Sequence, residues 1–306
     1  MCCFSRPVIS VGNTQIFART SSHGTQFLVY QMEYSSAQEN AMILPLPVRR
    51  PVNDDSLRFI DLSGYETFFR DLAAGFPYTP PTASLSCADR TITKSVGARL
   101  QVFEVGNYIA SFIPTFADFD RVDERFRLPD SAISAMPEYD DYSFAVFQLA
   151  EGASKPHPMA FEFPKADGSI FFPTLHIHDG SIHPTEEFDH TLYLQHAGFD
   201  SRVRGYVNAD VEDADTGLIR SKYAAANFCQ LGKANGVVDE KLLVHRKMIK
   251  GVHRNEDIVF KTAGDPAKPT MNLRPLLSFV PWICGAGLFS WLIARRNRIR
   301  RERLTA

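Results

Sequence analysis

The chain has 306 residues, of which 44% are hydrophobic, 22% charged and 12% aromatic, with a formal net charge of −2. These values are globular and exclude a collagen, a coiled coil and low-complexity disorder. Near-neutral charge also excludes a general nucleic-acid binder, so no nucleic acid is expected as a partner.

Taken along the chain, the pattern is mostly strand. Residues 8–19 read as two short apolar runs meeting at Gly12-Asn13, residues that tolerate the positive φ of a two-residue hairpin turn. Strands follow over 25–34 and 41–48, and the second should end or lie at a sheet edge, because Pro45 and Pro47 cannot donate to a ladder. Ser63 with Glu66 has capping-box spacing, which predicts a helix from Ser63 carrying Phe68, Phe69, Leu72 and Ala73 on one face and stopping at Gly75. The proline-rich run after it marks a candidate break between two subdomains near 76–98. A second hairpin is expected over 100–114, turning at Gly106-Asn107. Strands recur over 142–150, 159–164, 169–178 and 190–196, with 159–164 and 169–178 joined as a hairpin through 166–168. Residues 218–231 read as a helix ending at Gly232, and 241–250 with 257–261 as a closing hairpin. The sum is a mainly β or α+β body over 1–262, with antiparallel, sandwich-like sheets and few helices.

Five of the nine histidines fall within one 21-residue stretch: His176, His178, His183, His190 and His196, interleaved with Asp179, Glu186, Glu187 and Asp189. On a strand, His176 and His178 project from the same face and can reach one ion. His183, Glu186 and His190 complete the candidate ligand set; Glu186 and His190 would share a face if that stretch were helical. Imidazole with carboxylate suits zinc, iron or manganese, and a bound ion would activate water for hydrolytic or oxidative chemistry. The competing reading is a polar hairpin whose histidines face solvent or cap loops. The HxH lacks the glutamate of a cupin metal motif, and zincin, P-loop, GxGxxG and nucleophile-elbow patterns are absent. Cys2, Cys3, Cys87, Cys229 and Cys284 show no metal or redox spacing and read as plain thiols. The acidic stretches around Asp118–Glu124 and Asp210–Asp215 lack the glycine and closing glutamate of a calcium loop and read as solvated loops.

Residues 275–294 (PLLSFVPWICGAGLFSWLIA) carry no formal charge, and six arginines follow between 295 and 303. Twenty such residues match the hydrocarbon core of a bilayer. Trp282 and Trp291 suit its interfaces, and the arginines suit a cytoplasmic tail. The expectation is a single-pass C-terminal transmembrane helix, joined to the body by a linker over 263–274 and followed by a basic tail over 295–306. A helix beginning at Pro281 would be short enough to lie in the interface or in a soluble core instead. Residues 1–19 have no apolar core or basic leader of a secretory signal, which leaves the side of the body open.

Residues 27–48, FLVYQMEYSSAQENAMILPLPV, with the Met42-to-Pro47 step, resemble the opening of uncharacterised bacterial envelope proteins. In that group an extended strand enters a Leu-Pro-hydrophobic-Pro step and a C-terminal span closes the chain. The resemblance implies a membrane setting and no particular activity.

Two functions are therefore expected to compete. One is a membrane-anchored, β-rich, non-catalytic module that binds the bilayer and a protein or envelope component. The other is a metal-dependent enzyme built on His176, His178 and a carboxylate such as Glu186.

Overall fold

A computed structural model describes residues 3–77, 103–105, 108–165, 167–203 and 205–261, all within a compact unit spanning 1–269. The expected break near 76–98, the turn at Gly106-Asn107, the linker, the transmembrane helix and the basic tail lie wholly or almost wholly outside the described residues. Among the described residues, no helix is long and apolar enough to cross a membrane.

The chain is mainly β. In order, its strands are β1 (Cys3–Phe4), β2 (Ser10–Thr20), β3 (Thr25–Ser36), β4 (Asn40–Leu46), β5 (Arg58–Ile60), β6 (Phe103–Val105) and β7 (Tyr108–Ile113). Then come β8 (Ser143–Leu149), β9 (Gly152–Ser154), β10 (Met159–Pro164), β11 (Ile170–Phe172), β12 (Thr185–Gln195), β13 (Ile219–Arg220), β14 (His245–Arg254) and β15 (Ile258–Phe260). Among the described residues, short α-helices α1 (Phe68–Ala74), α2 (Asp130–Ser134) and α3 (Ala197–Arg202) accompany them, with several 3-10 turns. One sheet has the order β1-β4-β8-β7-β6, a second the order β13-β14-β12-β2-β3-β10-β5, and β11 pairs with β15. Both larger sheets take strands from either side of 78–102. Among the described strands, pairing is antiparallel except between β12 and β2, which run parallel from His190↔Thr14 to Gln195↔Arg19.

Strand alternation explains the layers. Ile16, Leu28, Tyr30 and Phe161 from the larger sheet meet Met42, Leu44, Ala145 and Phe147 from the smaller one in a core between the sheets. The intervening residues Phe17, Val29 and Ala160 turn the other way and pack against α1 through Phe68, Phe69 and Leu72. The far side of the smaller sheet, with Ile43, Phe144 and Val146, is covered by Phe119, Phe126 and Met136. The middle of each large sheet is thus buried on both faces, which is why β3 and β4 read as near-continuous apolar runs. Pro45 is accommodated because β1 pairs with β4 only at Ile43 and Met42, leaving that side of Pro45 without a ladder.

Several local expectations are corrected. Residues 8–19 hold no hairpin: Gly12-Asn13 forms a bulge within β2, with Asn13 at φ 49°, and the strand runs on against β3. Ser63 does not cap a helix; it opens a single 3-10 turn whose Ser63 N–H donates to Asp61 Oδ1, and α1 begins at Phe68. Phe68, Phe69 and Leu72 are buried as expected, whereas Ala73 is exposed. β10 and β11 are not a hairpin, because β10 pairs with β3 and β5 while β11 is held by the Gln26 side-chain amide and by β15. Residues 218–231 contain β13 and a 3-10 turn rather than one helix, since Ile219 and Arg220 are drawn into the ladder of β14. β14 and β15 do not pair with each other; β14 lies between β12 and β13.

Candidate metal centre

His176 and His178 sit on an extended segment just beyond β11 that belongs to neither main sheet. One edge touches the N-terminal segment, through a parallel bridge between Cys3 and Ile177 and bonds from Phe4 N–H to Ile177 O (3.0 Å) and Val8 N–H to His178 O (3.1 Å). Alternation sends Leu175 and Ile177 into the core below the smaller sheet. His176 and His178 therefore point the other way, toward β12. There the His176 ring stacks on Phe188 (centroids 4.4 Å apart) and beside His190 (5.2 Å), while the His176 and His178 rings lie 5.1 Å apart at 26°.

Glu186 reaches this pair from β12. One ligand atom each from His176, His178 and Glu186 lie within 4.8 Å of one another. Ligands of a tetrahedral ion with bonds near 2.1 Å stand about 3.4 Å apart, so the group is close to the span that one ion requires. His178 Nε2 is buried and has no hydrogen-bond partner among the described residues, so rotation of that ring breaks no bond at this atom.

Burial holds the imidazoles neutral, the form that binds metal. His176 is driven far below the usual histidine range, chiefly by burial. The same desolvation pushes His178 down to about 4. His183 behaves oppositely: it is exposed, its Nε2 lies 3.0 Å from Asp179 Oδ2, and that hydrogen bond raises its pKa.

The structure thus brings together three of the five candidate ligands, His176, His178 and Glu186. His183 pairs with Asp179 outside this group. His190 is fully buried on β12 opposite Thr14 and packs against the His176 ring rather than adding an atom to the ligand group. Residues 185–195 are a strand, not a helix, so Glu186 and His190 share a face through period-2 alternation but lie four residues apart along it. Facing solvent or capping a loop describes only part of the cluster: His183 is exposed and His196 Nδ1 accepts from Gly198 N–H at the start of α3, whereas His176 and His190 have no accessible surface.

Sequence reasoning missed the turn between β14 and β15. Asn255 Oδ1 accepts from His176 N–H (2.7 Å), and Asn255 Nδ2 donates to His176 O (2.9 Å) and His183 O (3.0 Å). Asp257 Oδ1 accepts from Thr174 N–H (2.7 Å) and Leu175 N–H (2.9 Å), and its Oδ2 accepts from the Tyr139 hydroxyl (2.9 Å). Asn and Asp in a turn are ordinary signals for satisfying backbone groups. Their targets lie 72 to 118 residues away, beyond any local pattern.

No family model matches the chain, and no curated protein matches it. Three similar solved structures are of baculovirus P35. The crystal structure of P35 is 14% identical, with 87% of this chain and 100% of that chain covered at a TM-score of 0.39. The caspase-8/P35 complex is 12% identical, with 81% and 95% covered at 0.39. A mutated P35 after caspase cleavage, at 2.7 Å resolution, is 12% identical, with 83% and 99% covered at 0.39. Likeness of this degree carries no argument about function.

Proposed function

We propose that the β-rich body is a metal-binding module that holds one divalent transition ion, of the zinc, iron or manganese class, between His176, His178 and Glu186. The observation that carries this reading is the convergence of two neutral imidazoles and one carboxylate from separate chain segments within 4.8 Å. Two histidines and a carboxylate leave at least one coordination position for water. That donor set serves both zinc hydrolysis and non-haem iron oxidation, which defines the reaction classes to screen once the ion is known. Full-length protein stripped with chelator and titrated with Zn(II), Mn(II) or anaerobic Fe(II) should take up about one equivalent. His178→Ala and Glu186→Gln should each remove most of that uptake. A folded wild type that binds none of the three ions at equimolar concentration overturns the reading.

We further propose that this module is tethered to a lipid bilayer by residues 275–294, with the arginines of 295–306 against anionic headgroups. Twenty uncharged residues beside six arginines support this reading. Deletion of 275–306 should release the protein from sedimenting membranes; a deletion variant that still sediments refutes it.

A further inference from the structure

We infer that Asn255 is a positioning residue of the metal centre, and that the turn it belongs to sets the separation of the two limbs that carry the ligands. This inference rests on the metal reading above.

The limb bearing His176 and His178 has the N-terminal segment on one edge only. On its other edge, the place of a neighbouring strand is taken by side chains of the 255–257 turn. Asn255 satisfies both the N–H and the C=O of His176, as a paired strand would. Its remaining amide proton goes to His183 O, at the far end of the loop that separates His178 from Glu186. The Asn255 backbone N–H donates to Pro184 O (3.1 Å), two residues before Glu186. One residue therefore grips the chain on both sides of the candidate ion.

The neighbouring residues reinforce that grip. The Thr174 hydroxyl donates to Glu256 O (2.9 Å), and Asp257 takes the next two backbone N–H groups. The amide orientation of Asn255 is fixed by chemistry: His176 N–H needs an acceptor, and the two carbonyls need donors. Aspartate at this position would keep the acceptor but present an oxygen to two carbonyls.

Groups outside the ligand set that fix ligand geometry commonly change metal affinity by roughly 10- to 100-fold. Zinc affinity should be measured by chelator competition on the full chain, for wild type, Asn255→Asp, Asn255→Ala and His178→Ala. The expected result is zinc binding weakened roughly 10- to 100-fold in both Asn255 variants, with stoichiometry kept near one, and outright loss in His178→Ala. The upward shift of Tm on adding zinc should shrink in the Asn255 variants relative to each variant's own metal-free Tm. Wild-type zinc affinity and an undiminished zinc-dependent shift in both variants would overturn the inference while leaving the metal reading intact. A wild type that takes up no metal defeats both at the first step. If neither variant folds, hydrogen exchange on wild type decides: zinc should slow exchange over 174–184 and 253–257 together. Protection confined to 174–184 would overturn the inference.

Discussion

Replacing Asp257 by asparagine tests whether burial or hydrogen bonding governs the charge at the turn behind the metal centre. The Asp257 carboxylate accepts three protein hydrogen bonds, which by themselves favour ionisation. Burial opposes them and is the larger effect, pushing the pKa up from 3.8 to about 6. Because the folded pKa lies above the unfolded one, the native state prefers the protonated acid. The associated stability is fully present below pH 3.8 and is lost as pH rises through about 6. A shift of this size corresponds to about 3 kcal/mol of strain at pH 7. The substituted amide would keep the oxygen that receives Thr174 and Leu175 N–H, and its NH2 can donate to the Tyr139 oxygen. Urea unfolding of wild type and Asp257→Asn should therefore show the variant more stable by about 1–3 kcal/mol at pH 7.5, with the gap closing toward pH 4. A variant that is less stable at pH 7.5, with a gap that shrinks on acidification, would show that the three donors outweigh desolvation and would refute this reasoning.

Two further outcomes are expected elsewhere in the fold. Gly75 has an ordinary helical backbone, but a Cβ there would meet the Phe228 ring at 2.6 to 2.9 Å, so Gly75→Ala should cost about 1–3 kcal/mol. Adding Phe228→Leu should recover part of the loss in thermal unfolding; no recovery would place the cost in the helix end instead. His245 is fully buried with Nε2 2.8 Å from Asp200 Oδ1, and desolvation lowers its pKa despite that carboxylate. A lowered folded pKa means that stability is lost as pH falls below the ordinary value of about 6.5, at up to about 1.4 kcal/mol per pH unit. The stability advantage of wild type over His245→Gln should accordingly narrow between pH 7 and pH 5; an advantage independent of pH would contradict neutral burial of His245.

What is local was legible in the residues alone. Short apolar runs identified β3, β4, β8 and β10 as strands, Phe68, Phe69 and Leu72 as a buried helical face, and Gly75 as the end of that helix. The clustering of histidines also marked the segment that carries all three converging ligands, His176, His178 and Glu186. Period-2 and period-3.6 patterns reveal which face of an element is buried, but not which distant element covers it. Only the tertiary structure decided that β2 runs straight through Gly12-Asn13, because the ladder of β3 continues on both sides of the bulge. It also decided that β12 lies parallel to β2 and that β11 leaves β10 for β15. The selection of Glu186 over His183, and the role of Asn255, follow from segments tens of residues apart being pressed together by burial of the sheets. Buried backbone groups at such a junction must find partners, and here the side chains of one turn supply them.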